Sequence, residues 1–169
     1  EKTSLAMLKS LLNLLRINSP LQGIDNKTSK ILPQLKKNYY AYQNGLLPKL
    51  LKHSLKETSF YGTDPLTGLS IKVRPDGLQL EKNIGVNAVI SFKTTSAQTI
   101  QQFQNDAAKY AYDLSEGMYQ ETISNITGRS FNCTIMVMLQ SVPPYLPALI
   151  WWNDSDIANG KAKYRSALN

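Results

Sequence analysis

One histidine and one cysteine are all that 169 residues hold of the two side chains that most often build transition-metal sites and disulfides. Histidine-based triads and histidine-rich metal centres therefore find no support, and His53 reads as an ordinary polar residue near a helix end. Cys133 can close no internal disulfide; lying in an apolar run, it reads as core in a reducing, cytoplasmic setting. No apolar run reaches the ~18 residues that a membrane span needs, and the first residues lack the continuous apolar core of a secretory signal. Repeats and low-complexity tracts are absent as well. The chain opens on an amphipathic pattern without methionine, so a piece of a longer protein is expected. Acid is scarce: 12 aspartates and glutamates face 19 lysines and arginines, a formal charge of +7 and a pI near 9.4, which favours nucleic acid or another polyanion as partner.

What is present is a length and apolar content suited to one domain over 1–169, with a helical N-terminal part at 1–56 and a core at 57–152. Leu5, Leu8, Leu11, Leu12 and Leu15 recur at helical spacing and predict a packing helix that ends near Pro20. A second helical region is predicted from Leu32 to His53, bent around Gly45 and Pro48. Its Lys36, Lys37, Lys49 and Lys52 form either a solvated face or a contact with a phosphate backbone. From Glu57 the pattern shifts to short strands: Thr58 to Tyr61, a turn at Asp64-Pro-Leu-Thr-Gly68, then Leu69 to Arg74, which together read as a β-hairpin. A polar loop follows around Glu81 to Gly85, then a third strand from Val86 to Thr94. One long helix is predicted from Thr99 to Ile126, turning Phe103, Ala107, Tyr110, Leu114, Met118 and Ile126 inward. A central strand from Phe131 to Gln140 and another from Leu146 to Trp152 complete the order of helix, three strands, helix and two strands. Bases could stack on Trp151 and Trp152, but alternation along a strand makes at least one of them core.

Within this order, an acidic residue ends one strand at Val73-Arg-Pro-Asp-Gly77, and a serine and a lysine lie on the next at Ala88-Val-Ile-Ser-Phe-Lys-Thr-Thr95. A charge buried on a strand costs several kcal/mol unless a partner or ion compensates it, which points to function. Over Glu57 to Trp152, the phrases FYGTDPLTGLSIKVRPDGL, VISFKTT and FQNDAAKYAYDLSEGMY resemble the PD-(D/E)xK nuclease superfamily, and within it the phage-type exonucleases of the exodeoxyribonuclease VIII and lambda exonuclease group. The resemblance implies an α/β fold with a restriction-endonuclease-like core: a central mixed sheet of about five strands flanked by helices. It implies Mg²⁺-dependent hydrolysis of DNA, with Mn²⁺ as a substitute, in phage or prophage recombination or DNA processing inside a bacterial cell. Double-stranded ends would be the substrate, no membrane would be involved, and a homo-oligomer is an expectation by likeness. The competing reading is a nuclease-fold module that binds DNA or assembles without catalysis.

Site residues follow from the same resemblance. Phosphodiester hydrolysis uses a hard cation to neutralise developing charge, and carboxylates hold that cation. Asp76 matches the central metal ligand, Glu57 matches an early acid that binds metal directly or through water, and the main chain of Phe92 offers a further oxygen. Lys93 matches the cationic residue near the scissile phosphate. Strand alternation places Ser91, Lys93 and Thr95 on one face and Phe92 and Thr94 on the other. Ser91 stands where the family has Asp or Glu. Some restriction enzymes of the superfamily also carry Ser-x-Lys and draw the carboxylate from the following helix, which here offers Asp106 or Glu116. Glu116 is favoured because it adjoins the Gln-x-x-x-Tyr position, occupied by Ser115 and Tyr119, whereas Asp106 suits an exposed acid in the first helical turns. Gly117, costly by ~1 kcal/mol within a helix, is expected to mark close approach to a strand or to DNA. Lys109, Arg129, Lys161, Lys163 and Arg165 are expected to make diffuse backbone contacts.

Overall fold

The computed structural model describes residues 26–168, and the leucine-patterned helix expected over Leu5 to Leu15 lies outside them. Helix α1 (Asn26–Ala41) runs into a single 3₁₀ turn at Tyr42–Asn44, and a left-handed Gly45 (φ 81°) redirects the chain into α2 (Leu46–Leu51). The expected bend at Gly45 is therefore present, and Pro48 falls in the first turn of α2, where a missing N–H costs little. Leu32, Leu35, Tyr39, Leu47 and Leu51 lie on the buried side of these helices and pack on Ile90, Phe92, Val137 and Leu139.

Those last four residues belong to a five-stranded sheet of order β1 (Leu55–Lys56), β4 (Gly77–Gln79), β5 (Ala88–Thr95), β6 (Cys133–Gln140) and β7 (Pro147–Trp151). Strands β5 and β6 are parallel over eight pairs, from Ala88 opposite Cys133 to Thr95 opposite Gln140; the other neighbours are antiparallel. The sheet is thus mixed. Its central pair is buried on both faces, in keeping with near-continuous apolar runs. Strands β2 (Phe60–Thr63) and β3 (Ser70–Val73) form the expected hairpin as a separate two-stranded sheet. Asp64 builds its turn, its Oδ2 accepting from the Thr67 amide at 2.9 Å and the Thr67 hydroxyl at 2.8 Å.

Several elements differ from the sequence reading. The polar loop after β4 contains a one-turn helix, α3 (Glu81–Ile84), and β1 and β4 are too short for alternation to announce them. The long helix is broken in two, α4 (Ile100–Lys109) and α5 (Tyr112–Thr127), by Ala111 in the left-handed region (φ 50°). No glycine or proline flags that break. Consequently Phe103 and Ala107 are buried as expected, whereas Tyr110 is 59% exposed and Ile126 faces solvent in part. Beyond Trp152, a C-terminal helix α6 (Asp154–Leu168) forms that the sequence reading left unassigned. Its signals are an Asn153 cap, whose Oδ1 accepts from the Asp156 amide at 2.7 Å, and acids in the first turn. Cys133, expected in the core, is half-buried at the start of β6, where the strand emerges from the sheet.

Helix α6 lies against α5 closely enough for their backbones to touch. A Cβ at Gly160 would fall 1.9 Å from the Asp113 carbonyl oxygen, and one at Gly117 would fall 2.6 Å from the Lys161 amide nitrogen. Gly117 is therefore explained by a neighbouring helix, neither by a strand nor by DNA. Arg165 then reaches from α6 to Asp64 of the hairpin turn and to Glu121 of α5. Gly160→Ala should destabilise the protein by about 1–3 kcal/mol through overpacking, outweighing the ~1 kcal/mol that alanine gains in helix propensity. Urea unfolding measures this, and an unchanged midpoint would show that the two backbones are not in contact.

Candidate active site

The site grows from β5. Because side chains alternate, Phe92 enters the core against α1 and α2, and Ser91 faces the opposite side with its neighbour Val89, toward α5. There the Ser91 hydroxyl donates to Glu116 Oε2 at 2.7 Å. Glu116 is 0% exposed. Burial lifts its carboxyl from 4.5 to about 7, opposed by the Lys93 charge and the Ser91 hydrogen bond and reinforced by the Asp76 charge.

Asp76 lies on the turn between β3 and β4, and its Oδ2 accepts from the Phe92 amide at 2.7 Å, which pins the carboxylate to the middle of β5. Its acidity is also weakened, first by burial and then by the Glu57 charge, against the Phe92 hydrogen bond and Lys93. Two carboxylates thus share one desolvated region, with Lys93 acting on both. The Lys93 ammonium also lies 4.9 Å from the Tyr112 ring centre. Tyr119, one turn beyond Glu116, has its phenol pushed up by burial and by the Glu116 and Asp76 charges. Ser115 donates to the Tyr112 carbonyl at 2.8 Å and to Glu116 Oε1 at 3.5 Å.

The other candidates sit differently. Glu57 is joined to the site through its backbone, the amide donating to the Asp76 carbonyl at 3.0 Å, while its carboxylate pairs with Arg74 at 2.6 Å. Asp106 is on α4, where its charge acts on Tyr112. Lys163 and Arg165, expected to be diffuse phosphate contacts, are held by Asp113 and by Asp64 and Glu121. Those pairings span 50, 101 and 44 residues, so no local pattern could reveal them. Trp152 packs on the cluster of Ala97, Phe103, Met136 and Met138, whereas Trp151 is exposed. Among the described residues, no group of three or more His, Cys, Asp and Glu side chains converges to hold a metal ion. None of the described helices is long and apolar enough to cross a membrane.

The family model described as PDDEXK-like domain of unknown function (DUF3799) matches residues 27–169. No curated protein matches the chain. Among solved structures, the chain is similar to that of a putative exonuclease from Eubacterium rectale, with 13% identity and a TM-score of 0.67, covering 98% of this chain and 65% of that one. The chain therefore spans under two thirds of that protein's length. Weaker likenesses are to SSO0001 (15% identity, TM-score 0.43, 96% and 85% covered) and to an alkaline exonuclease from Laribacter hongkongensis (12%, 0.32, 96% and 79%). At 13% identity the likeness to the Eubacterium rectale protein bears on the fold alone.

The raised Glu116 carboxyl has a consequence for stability. The folded state holds its proton up to about pH 7 while the unfolded chain releases it near 4.5, so the stabilisation is complete below the lower value and lost as pH rises through the higher. Asp76 adds to the same trend. In a chelator, the unfolding free energy should fall by a few kcal/mol as pH rises from about 5 to about 8, and Glu116→Gln should flatten that fall. Parallel profiles for the two proteins would contradict the buried acid.

Proposed function

The chain belongs to the family of PDDEXK-like domains, and from that premise we propose that it is a divalent-metal-dependent nuclease acting on DNA. The observation that carries this reading is the meeting of Asp76, Lys93 and Glu116 around Ser91, with the helix acid buried against the strand position that has no acid of its own. Structural likeness to the Eubacterium rectale protein supports the fold on which that arrangement rests.

The donor set suits a hard cation. Two carboxylates in a desolvated region repel one another, and Lys93, with Arg74 on Asp76, offsets this only in part; a bound dication would remove the repulsion, and oxygen ligands are the ones it prefers. Asp76 and Glu116 would hold it, with the Phe92 carbonyl as a further oxygen, and Glu57 through water. When bound, such an ion neutralises charge on the phosphate and lowers the pKa of water. The chain supplies the rest. The Phe92 amide fixes the Asp76 carboxylate, and the Ser91 hydroxyl orients that of Glu116. Lys93 places a positive charge where a phosphodiester gains negative charge. Tyr119 packs, partly buried, against the cluster that holds Val89 and Ile123, one turn beyond Glu116. Mg²⁺, with Mn²⁺ as substitute, suits oxygen donors of this number, since magnesium retains several waters. Attack from duplex ends, a place in phage or prophage recombination, a bacterial cytoplasm and a homo-oligomer rest on motif resemblance.

Asp76→Asn, Lys93→Ala and Glu116→Gln should each lower Mg²⁺-dependent cleavage of linear duplex DNA by about 100-fold or more, in line with loss of a metal ligand or of transition-state charge stabilisation. Asp106→Asn should stay within about 3-fold of the parent, as expected for an acid remote from the chemistry. If Asp106→Asn is the inactive variant, the carboxylate assignment is wrong. If the parent binds DNA yet cleaves none with either ion, the chain is a binding module.

Duplex binding by Asp76→Asn in Ca²⁺ should weaken at least about 10-fold between roughly 50 and 200 mM salt, because a protein of charge +7 binds mainly through phosphates. The exposed Lys36, Lys37, Lys49, Lys52, Lys109 and Arg129 share this attraction, so no single replacement among them should abolish it. A flat salt response would remove DNA as the substrate.

A further inference from the structure

Where β5 ends, a cleft of about 530 Å³ opens between residues 94–96, Ser141 after β6, and the junction of α4 and α5. Its size is in the range of small-molecule sites, ~300–1,000 Å³. The walls are fastened to one another. The Ser141 amide and hydroxyl donate to the Thr95 carbonyl at 2.8 and 3.0 Å, and Gln140 Nε2 donates to the Ala97 carbonyl at 3.1 Å, so the cleft is built into the fold.

Its aromatic side is a product of the break at Ala111. In an unbroken helix, residues 110 and 112 would point about 200° apart and share no surface. With Ala111 left-handed, the Tyr110 and Tyr112 rings instead stack at 25° with their centres 6.1 Å apart, and both line the cleft. A non-glycine residue is held in such a conformation only where its surroundings impose it, and ligand sites are where these residues gather. Both rings can be reached from solvent: Tyr110 is 59% exposed and Tyr112 is partly buried.

The contacts then run Lys93, Tyr112, Tyr110, Lys109. The Lys93 ammonium lies 4.9 Å from the centre of the inner ring, and that of Lys109 lies 5.3 Å from the centre of the outer one. Two cations flanking two rings match the alternation of phosphates and bases along a strand. Asp106 lines the same cleft and repels phosphate, so a flat uncharged ring suits the space itself. A cation–π contact at an exposed site is weak, which lets a base replace the exposed Lys109 over Tyr110 and leaves the ammonium to a phosphate.

We propose that this cleft holds an unpaired base of the reacting strand, stacked on Tyr110, beside the phosphate that Lys93 faces and with Lys109 on a neighbouring phosphate. Thr95 follows Lys93 on the same face of β5 by roughly 7 Å, within the span of one nucleotide. A base inside a duplex has both faces covered by its neighbours, so the substrate class is a single strand, or an end whose last pairs have opened. The proposal rests on the nuclease reading and deepens it by naming the state of the strand.

Binding of a single-stranded oligonucleotide is measured in Ca²⁺ with the Asp76→Asn protein, which leaves the strand intact, and an abasic position is walked along the strand. One abasic position should weaken binding about 10-fold, the scale of one base stacked on an aromatic ring. Adding Tyr110→Ala should weaken the intact strand by about the same factor and leave that abasic strand unchanged, so that the two losses do not add. Tyr110→Phe, which keeps the ring, should bind like Tyr110. In the parent chain, 5-iodouracil at the sensitive position should photocrosslink to Tyr110, a readout that needs no variant to fold. Absence of any binding would overturn the nuclease reading and this proposal with it. Salt-sensitive binding that is indifferent to Tyr110→Ala, losses that add on the abasic strand, or no crosslink to Tyr110 from any position would overturn the cleft alone.

Discussion

Two helices whose backbones meet at Gly117 and Gly160 decide where most of the chemistry-bearing side chains lie. With α6 pressed so closely against one side of α5, the other side is held against the sheet, and a side chain at 116 has nowhere to go but the floor of β5. The same contact places Asp113 beside Lys163 and brings Arg165 within reach of Asp64 and Glu121. An added methyl group at either glycine would move all of these at once, because close-packed helices translate as units and do not yield locally.

The serine at position 91 takes its meaning from that geometry. An aspartate there would set a second carboxylate against Glu116 in a space without water, where like charges raise one another's protonation. A hydroxyl instead gives the buried acid a donor. The helix brings an acid to this point while the strand adds none, and Lys93 acts on both carboxylates, with Arg74 acting on Asp76 as well. In energetic terms, the desolvation of Glu116 is tolerated because its neighbours are a hydroxyl and an ammonium rather than a third acid.

How much of this was legible depended on how far apart in the chain the causes lie. The hairpin, β5 and β6 were readable because turn residues and apolar runs act within a few positions, as in Asp64-Pro-Leu-Thr-Gly68. Glu116 was set above Asp106 from its place beside Tyr119; the structure has Glu116 at Ser91 and Asp106 on α4. The break at Ala111 was not, since an alanine forced into a left-handed conformation at roughly 1–2 kcal/mol is imposed by tertiary packing and leaves no mark in the sequence. The short β1 and β4 give too few residues for alternation. Lys163 and Arg165 looked like free surface charge because their acids lie 44 to 101 residues away. Helix α6 did carry an Asn153 cap and acidic first turn, signals that were available and went unread.

The hairpin of β2 and β3 shares no ladder with the five-stranded sheet, so its attachment differs in kind from that of every strand beside it. It is moored by side chains: Ile126 over Gly62, and Arg165 on the Asp64 turn. Its inner side chains Ile71 and Val73 also enter the buried cluster of Leu78, Val89 and Ile123, so the hairpin is joined to the sheet by packing and not by a ladder. Asp76 sits directly after that unit, while Glu116 sits on a helix locked to α6. Asp76 is nonetheless tied to β5 by the Phe92 amide and Glu116 by the Ser91 hydroxyl, so one strand gauges the distance between the two carboxylates whichever way the hairpin is fastened.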